Sequence, residues 1–403
     1  MVSGPDAEPL AEVVTLLRGA LAGTGPALLP VPGDTEVTGT GALADADSDE
    51  VQLRPGTALL IRTSGSTGTA KQVELSAAAL LASARATHQR VGPPGRWALT
   101  LPLTHVAGWQ VLVRGLLSPD PDDHLPAILP AGSPFTAARF HQVLVQAEGV
   151  NKAVSFISLV PTQLARMLED LDAAAAASGL RVVLLGGAPT PEPLYSRAQQ
   201  AGINVVRTYG STETCGGCIY DGIPLRGVRA RTTAGGRLLL AGPVLASGYR
   251  DASSAPGERF LVEDGQTWFV TSDLADIDDA GTVSIRGRVD DVIISGGEKV
   301  LPADVERTLA GVAGIGEAIV VGIPDERWGQ AVVAVITSTF DGPLPGLSQV
   351  REVVALALGR HAAPQHLVVV DTIPRHGIGK PDRRAIAALA VERLDAARYR
   401  PQS

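Results

Sequence analysis

Between Thr57 and Arg207, short apolar runs recur with room for one helix between most neighbours, and this alternation constrains the fold more than any other property of the chain. The runs Thr57–Ile61, Trp97–Leu101, Ala153–Ile157, Val182–Leu185 and Asn204–Arg207 read as strands. The stretches Ala77–Gln89, Phe135–Gln146, Pro161–Ala177 and Pro191–Ala201 read as helices. Strand and helix in alternation predict an α/β layered sheet. From Gly236 to Ile294 the helical pattern stops, and alternating segments such as Arg237–Leu240 and Val283–Arg286 predict antiparallel strands. A final α+β unit, with strands at Ala318–Val321 and Ala331–Thr337, closes the chain. Ahead of all this, Leu10, Val13, Val14, Leu17 and Leu21 give Asp6–Leu21 the spacing of an amphipathic helix, while Pro30–Pro55 reads as a surface loop or linker. The alanine run Ala173–Ala177 reads as a helix end.

A chain of 403 residues exceeds one compact core, and an apolar fraction of 45% suffices for two or more. No apolar stretch approaches the roughly 20 residues of a membrane-spanning helix. The first nine residues are acidic and lack the basic flank and apolar centre of a secretory signal, so a cytoplasmic protein is expected. A net charge of -8 disfavours nucleic acid as a partner, since that requires a dense basic face. The two cysteines, Cys215 and Cys218, are too few for a disulfide framework and agree with a reducing compartment. Of 34 basic residues only Lys71, Lys152, Lys299 and Lys380 are lysine, and three of them stand in glycine-rich segments. Against so strong a preference for arginine, this placement suggests a need for a compact ammonium rather than a planar fork.

Five segments carry candidate chemistry. The first, TSGSTGTAK, comprises Thr63, Ser64, Gly65, Ser66, Thr67, Gly68, Thr69, Ala70 and Lys71 directly after a strand. Glycines allow successive N–H groups to converge, hydroxyls add donors and Lys71 adds charge, as a polyphosphate cradle requires. A Walker A loop is excluded because Ala70 and Gln72 flank Lys71 where that motif has Gly and Ser or Thr. A plain structural turn remains the alternative for the segment taken alone. TYGSTET, Thr208 to Thr214, offers Tyr209 to stack on a base, Thr212 to bond a phosphate and Glu213 to hold Mg²⁺. Asp273 ends an apolar strand, where a carboxylate can accept two ribose hydroxyls. The segment Ile285–Glu306 contributes Arg288, two aspartates and a double glycine, and PRHGIGK places Lys380 after a Gly-Ile-Gly turn suited to entering a site during adenylyl transfer.

Together these segments resemble the adenylate-forming enzymes: acyl-CoA synthetases, adenylation domains and luciferases. The resemblance rests on TSGSTGTAK, LPLTHVAGW around His105, LLGGAP at Leu184–Pro189, TYGSTET, LLLAGPVLASGY at Leu238–Tyr249 and TSD at Thr271–Asp273. It continues through GRVDDVIISGGEKV, VVGIPDERWGQ at Val320–Gln330 and PRHGIGKPDRR, in order across residues 57 to 384.

The resemblance implies a large N-terminal domain, residues 1–289, binding nucleotide and acyl group, and a small mobile C-terminal domain, residues 290–403, turning about Asp290. It implies ATP, Mg²⁺ and coenzyme A as partners. The Thr63–Lys71 loop would hold the β- and γ-phosphates, with Gly186, Gly187 and Ala188 and with Tyr209, Gly210 and Ser211 around the nucleotide. Asp273 and Arg288 would hold the ribose, and Glu213 the metal. Lys380 would bridge the substrate carboxylate and the α-phosphate, with Thr212 and His105 beside the reacting groups. Rotation would withdraw Lys380 and bring Ser295, Gly296 and Gly297 forward to shape a tunnel for the thiol.

The short N-terminus, LPLTHVAGWQVLVRG and YGSTETCGGCIYDG further resemble the branch acting on o-succinylbenzoate for menaquinone synthesis. A pocket for that dicarboxylic acid would use Gly108, Trp109, Gly187, Gly216 and Gly217, with Arg114 or Arg207 on the second carboxylate. Cys215 and Cys218 would pack behind it, since neither a zinc site nor a dithiol centre has the further residues it needs. A homodimer is compatible with all of this. Ser66, Ala70, Ser272 and Arg237 depart from the usual family residues without removing a reactive group. Two other readings stay open: an adenylation enzyme that loads a carrier protein, opposed by Gly108 and Trp109 where amino-acid members place an aspartate, and a non-catalytic nucleotide-binding relative, opposed by the joint presence of Glu213, Asp273, Arg288 and Lys380.

Overall fold

The computed structural model describes residues 7–30, 44–45, 53–63, 71–128, 135–149, 153–250, 259–338, 343–376 and 380–398. Its centre is a seven-stranded sheet in the order Ile223–Pro224, Gly216–Tyr220, Val205–Ser211, Val182–Leu185, Phe156–Leu159, Trp97–Leu99, Ala127–Ile128. The five strands from Val205–Ser211 to Ala127–Ile128 run parallel, and Gly216–Tyr220 adds an antiparallel border. Phe156–Leu159 and Val182–Leu185 are buried at every position, as strands covered on both faces must be. The helices Ala137–Gly149, Pro161–Met167, Leu171–Ser178 and Glu192–Gln200 supply one cover through a core that includes Phe140, Leu164, Ala173 and Ala198. Residues from the helix Ala77–Val91 and the following β-rich region, among them Leu238, Leu240 and Val283, supply the other.

A second sheet is built on the antiparallel pair Thr57–Thr63 and Lys71–Ser76, flanked by Gly248–Tyr249 and Leu28–Leu29. It packs on the helices Ala7–Ala22, Ala77–Val91 and Val106–Gly115 through Leu17, Leu59, Leu80 and Leu112. The chain between Thr63 and Lys71 therefore joins two antiparallel strands rather than a strand and a helix. This agrees with the exclusion of a Walker A loop, whose phosphates rest on a helix N-terminus.

The β-rich stretch forms an antiparallel sheet in the order Arg229–Thr232, Arg237–Ala241, Gln266–Ile277, Arg259–Glu263, with Val283–Arg288 also paired to Gln266–Ile277. Beyond it, Ile315–Asp325 and Gly329–Ser338 form a long hairpin. His366–Val369 joins it in parallel, and the helices Pro302–Leu309 and Leu347–Leu358 cover one face while Arg383–Arg398 covers the other.

Several element boundaries depart from the sequence expectation. Pro161–Ala177 is two helices, because the Asp170 carboxylate accepts the Ala173 N–H at 2.9 Å and starts a second one. The alanine run is the body of that second helix, with Ala173 and Ala177 fully buried, and not a helix end. The strand expected over Ala153–Ile157 lies at Phe156–Leu159, and the one expected to stop at Arg207 continues to Ser211. Most of Pro30–Pro55 lies outside the described residues.

Candidate active site

Ligands in parallel α/β sheets gather beyond the carboxyl ends of the strands, and Val205–Ser211 carries Tyr209, Gly210 and Ser211 to that edge. The Tyr209 hydroxyl donates to Oδ2 of Asp273 at 2.5 Å. Burial, followed by the adjacent Asp273 charge, holds the phenol well above its ordinary pKa, so it stays a donor. Asp273 stands directly opposite Arg288 in the antiparallel register, so three residues expected at a nucleoside come together on two neighbouring sheets. Gly186 and Gly187 follow the end of Val182–Leu185, where Gly187 has φ +82°. A side chain on Gly186 would run into the Thr208 hydroxyl.

After Ser211 the chain makes one tight turn, Thr212–Thr214, and returns as Gly216–Tyr220. Gly210 lies so close to the Gly216 carbonyl that no Cβ fits, and a Cβ on Gly217 would come to 2.9 Å from the Tyr220 ring and 3.2 Å from Thr208. The Thr214 hydroxyl stitches the turn, donating to the Gly216 carbonyl at 2.7 Å and accepting the Ser211 N–H at 2.9 Å. Cys215 takes a left-handed conformation at φ 52°. Both cysteines are free and fully buried, and burial raises both thiols, Cys218 to about 12.

This turn presents Glu213, whose side chain is buried and accepts the Tyr249 hydroxyl at 3.0 Å. The Nζ of Lys71 sits 5.3 Å from the centre of the Tyr249 ring. Lys71 itself is buried and paired in register with Thr63. Ser64, Gly65, Ser66, Thr67 and Gly68 lie outside the described residues; of their flanks, Lys71 meets the Glu213 turn through Tyr249. Tyr249 was not singled out from sequence. Its signal was the end of LLLAGPVLASGY, but its role depends on pairing with Val73, far away in the chain. Among the described residues no group of three or more His, Cys, Asp or Glu forms a metal cluster. One buried carboxylate beside a phosphate loop suits Mg²⁺, which fills its remaining positions with water and phosphate oxygens.

The helix Val106–Gly115 begins at His105, which occupies the cap position with φ -120°. Gly108 allows this start to lie against the Leu101 and Pro102 carbonyls, which a Cβ would approach to 2.8 and 2.6 Å. The imidazole pKa is lowered, first by desolvation and then by the positive charge of Lys380. Lys380, more than two hundred residues away in the chain, is thus near enough for its charge to be felt at His105, and its side chain is exposed. Trp109 turns the other way, into the core with Leu80 and Leu112, its indole N–H donating to the Leu103 carbonyl.

The two arginines weighed for a second carboxylate differ sharply. Arg207 is half exposed and already faces Glu192 at 3.5 Å and Asp221 at 3.8 Å. Arg114 is 4% exposed, has no carboxylate within ion-pair distance among the described residues, and leaves its buried Nε without a hydrogen bond. Burial lowers its pKa.

Around Asp290 the chain is held by ion pairs. Arg288 reaches Asp290 at 3.7 Å, while Arg383 reaches Asp291 at 3.1 Å and Glu306 at 2.8 Å. Ser295, Gly296 and Gly297 form the turn between the short strands Ile293–Ser295 and Glu298–Val300. The Gly296 N–H donates to the Trp328 carbonyl at 2.8 Å, and the Ser295 hydroxyl faces Gln365 at 3.5 Å.

Comparison with known proteins agrees with this geometry. The family described as AMP-binding enzyme matches residues 28–245, and its C-terminal domain matches residues 304–380. A protein of Mycobacterium tuberculosis named probable 2-succinylbenzoate–CoA ligase is 41% identical over 384 residues, 95% of this chain and 96% of its own. The 2-succinylbenzoate–CoA ligase of Geobacillus kaustophilus is 29% identical, over 89% of this chain and 75% of its own. Among solved structures, o-succinylbenzoate coenzyme A synthetase of Bacillus subtilis in complex with AMP superposes with a TM-score of 0.67 at 27% identity, covering 81% of this chain and 68% of that one.

Proposed function

We propose that this chain, which belongs to the AMP-binding enzyme family, is the ATP-dependent ligase that joins o-succinylbenzoate, also called 2-succinylbenzoate, to coenzyme A. The observation that carries the mechanism is the effect of Lys380 on His105. It supports a reading in which the Lys380 ammonium acts near the helix start, where an acyl carboxylate would meet the α-phosphate.

In the first half-reaction a succinyl carboxylate oxygen attacks the α-phosphorus in line and pyrophosphate leaves. Lys380 offsets the charge that gathers between the two anions, and Thr212 donates to a phosphate oxygen. Lys71 and the Thr63–Gly68 loop hold the β- and γ-phosphates. Asp273 and Arg288 hold the ribose, with Tyr209 against the adenine and fixed by its bond to Asp273. Gly186, Gly187, Ala188, Gly210 and Ser211 let the backbone approach the nucleotide. Glu213 would hold Mg²⁺, which would neutralise phosphate charge. In the second half-reaction the thiol of coenzyme A attacks the acyl carbon and AMP leaves. For this step residues 290–403 rotate about Asp290 against residues 1–289, Lys380 withdraws, and Ser295, Gly296 and Gly297 line the thiol path.

The acid lies beside Gly108, Gly187, Gly216 and Gly217, with Trp109 backing the wall. Arg114 and Arg207 are the two candidates for the ring carboxylate: Arg207 already faces Glu192 and Asp221, and Arg114 is enclosed against Trp97 and Tyr220. The reaction belongs in the cytoplasm, in keeping with two free, buried thiols; no helix among the described residues is long and apolar enough to cross a membrane.

A panel of acids scored for AMP release with ATP and coenzyme A tests the reading. o-Succinylbenzoate is expected to give AMP where acetate, fatty acids and amino acids do not, and a silent o-succinylbenzoate would end the substrate assignment. Lys380→Ala is expected to abolish adenylate formation while sparing transfer from preformed adenylate to coenzyme A. Equal loss of both steps would refute the two-position role of Lys380.

A further inference from the structure

The strand Lys71–Ser76 and the turn Thr212–Thr214 lie far apart in the chain, yet one short segment, residues 246–250, is bonded to both. The Ala246 N–H donates to the Glu213 carbonyl at 2.8 Å, and the Ser247 and Arg250 N–H groups donate to the Glu74 and Gln72 carbonyls, each at 2.9 Å. Between them, Gly248 and Tyr249 pair in register with Glu74 and Val73. Backbone bonds thus fasten the turn that carries Glu213 to the strand that carries Lys71. The side chain of Tyr249 repeats the connection, its hydroxyl donating to Oε1 of Glu213 at 3.0 Å. A carboxylate accepts at about four lone-pair sites, so one such bond orients the group without exhausting it.

The ring that bears this hydroxyl is itself held. Nζ of Lys71 lies over it, 5.3 Å from the centre, and the Phe260 ring packs against it at 5.7 Å between centres, tilted by 57°. Arg54 anchors the backbone: both terminal guanidinium nitrogens lie 3.2 Å from the Tyr249 carbonyl, while Nη1 also donates to the buried Glu74 carboxylate at 2.8 Å. Gly248, at φ +143°, gives the guanidinium its room, since a Cβ there would come to 3.1 Å from it. One tyrosine therefore meets two charges of opposite sign, an ammonium on its face and a carboxylate at its hydroxyl. Both contacts are attractive, and the stiffness of the ring sets the distance between them.

We propose that Tyr249 is a positioning residue for the metal–polyphosphate end of the nucleotide: it fixes the Glu213 carboxylate relative to the Lys71 ammonium, and Arg54 holds Tyr249 in place to do so. This rests on the assignment of Glu213 to the metal and of Lys71 to the β- and γ-phosphates. Tyr249 acts through Glu213, so its contribution is confined to a nucleotide that carries both a metal and a polyphosphate.

The test is binding to the full chain with no acid present. Dissociation constants are measured for ATP with Mn²⁺, for ATP in EDTA, and for AMP, and the quantity compared is the factor by which Mn²⁺ tightens ATP. Tyr249→Phe keeps the ring and removes the oxygen, and is expected to lower that factor about tenfold, the worth of one hydrogen bond to a charged group. Arg54→Met, one step further from the metal, is expected to lower it about threefold. Affinity for AMP, which has no β- or γ-phosphate, should be unmoved in both. General damage to the fold weakens AMP and ATP alike and leaves the factor unchanged. Should Tyr249→Phe fail to fold, Arg54→Met decides in its place. Glu213→Gln serves as the reference and is expected to abolish most of the Mn²⁺ effect. If it does so while Tyr249→Phe retains the effect, the positioning role is overturned and the metal assignment stands. If Glu213→Gln itself retains the effect, the metal assignment falls and the positioning role falls with it.

Discussion

At the level of single residues, the site unites groups whose partners lie far off in sequence. Tyr209 reaches Asp273, Glu213 reaches Tyr249, and His105 feels Lys380. The first member of each pair stands in a segment recognisable from its residue types, so Tyr209, Glu213, Asp273, His105 and Lys380 were all legible as candidates. Tyr249 was not, because tyrosine at a strand end is ordinary in its own neighbourhood and meets Glu213 only through tertiary packing. The His105–Lys380 pair yields a direct measurement. Burial, and after it the Lys380 ammonium, disfavours the imidazolium and holds the His105 pKa below its usual 6.5, so removing the charge is expected to raise it part of the way. Imidazole resonances followed by NMR across pH 5 to 8 are expected to titrate at higher pH in Lys380→Ala than in the parent protein. An unchanged titration would separate the two residues in solution.

The elements explain why glycine is concentrated where it is. Gly210 and Gly216 sit on neighbouring strands that come too close for any Cβ at position 210. Gly210→Ala is therefore expected to force the Thr212–Thr214 turn out of place. The cost is roughly 2 to 4 kcal/mol, read as a fall in the urea midpoint, and apparent ATP affinity should drop with it because Glu213 moves. The alternation of strands and helices was readable because each buried parallel strand is nearly all apolar. The misjudged boundaries had local causes that apolar spacing does not encode: the Asp170 cap that divides one expected helix, and the border strand that prolongs Val205–Ser211 through Tyr209. The pairing of Thr63 with Lys71 was likewise hidden, since a glycine-rich loop does not reveal whether a strand or a helix follows.

In the whole molecule, ion pairs among the described residues bridge the chain on either side of the expected hinge at Asp290. Arg286, on the strand before Asp290, holds Asp276 at 2.5 Å and Asp304 at 2.6 Å, and Asp304 belongs to the helix Pro302–Leu309 beyond it. Arg286 is 37% exposed, so water weakens the contact, and its effect should be a few-fold rather than decisive. The arrangement in which this contact forms is also the one in which the Lys380 charge is felt at His105. Arg286→Ala is accordingly expected to slow o-succinylbenzoate-dependent pyrophosphate exchange roughly threefold, with transfer from preformed adenylate unchanged or faster. Slower transfer at an undiminished exchange rate would assign the pair to the opposite arrangement.

Lys380 is exposed, and it is one of only four lysines in the chain. The amine proposed to act in bond making is therefore within reach of dissolved electrophiles, whereas Lys71 is shielded by the protein around it. A mild acylating reagent would silence the enzyme by modifying a single nitrogen. Bound nucleotide and acid would slow that injury, so the protein's sensitivity to the reagent would report how much of its time it spends engaged.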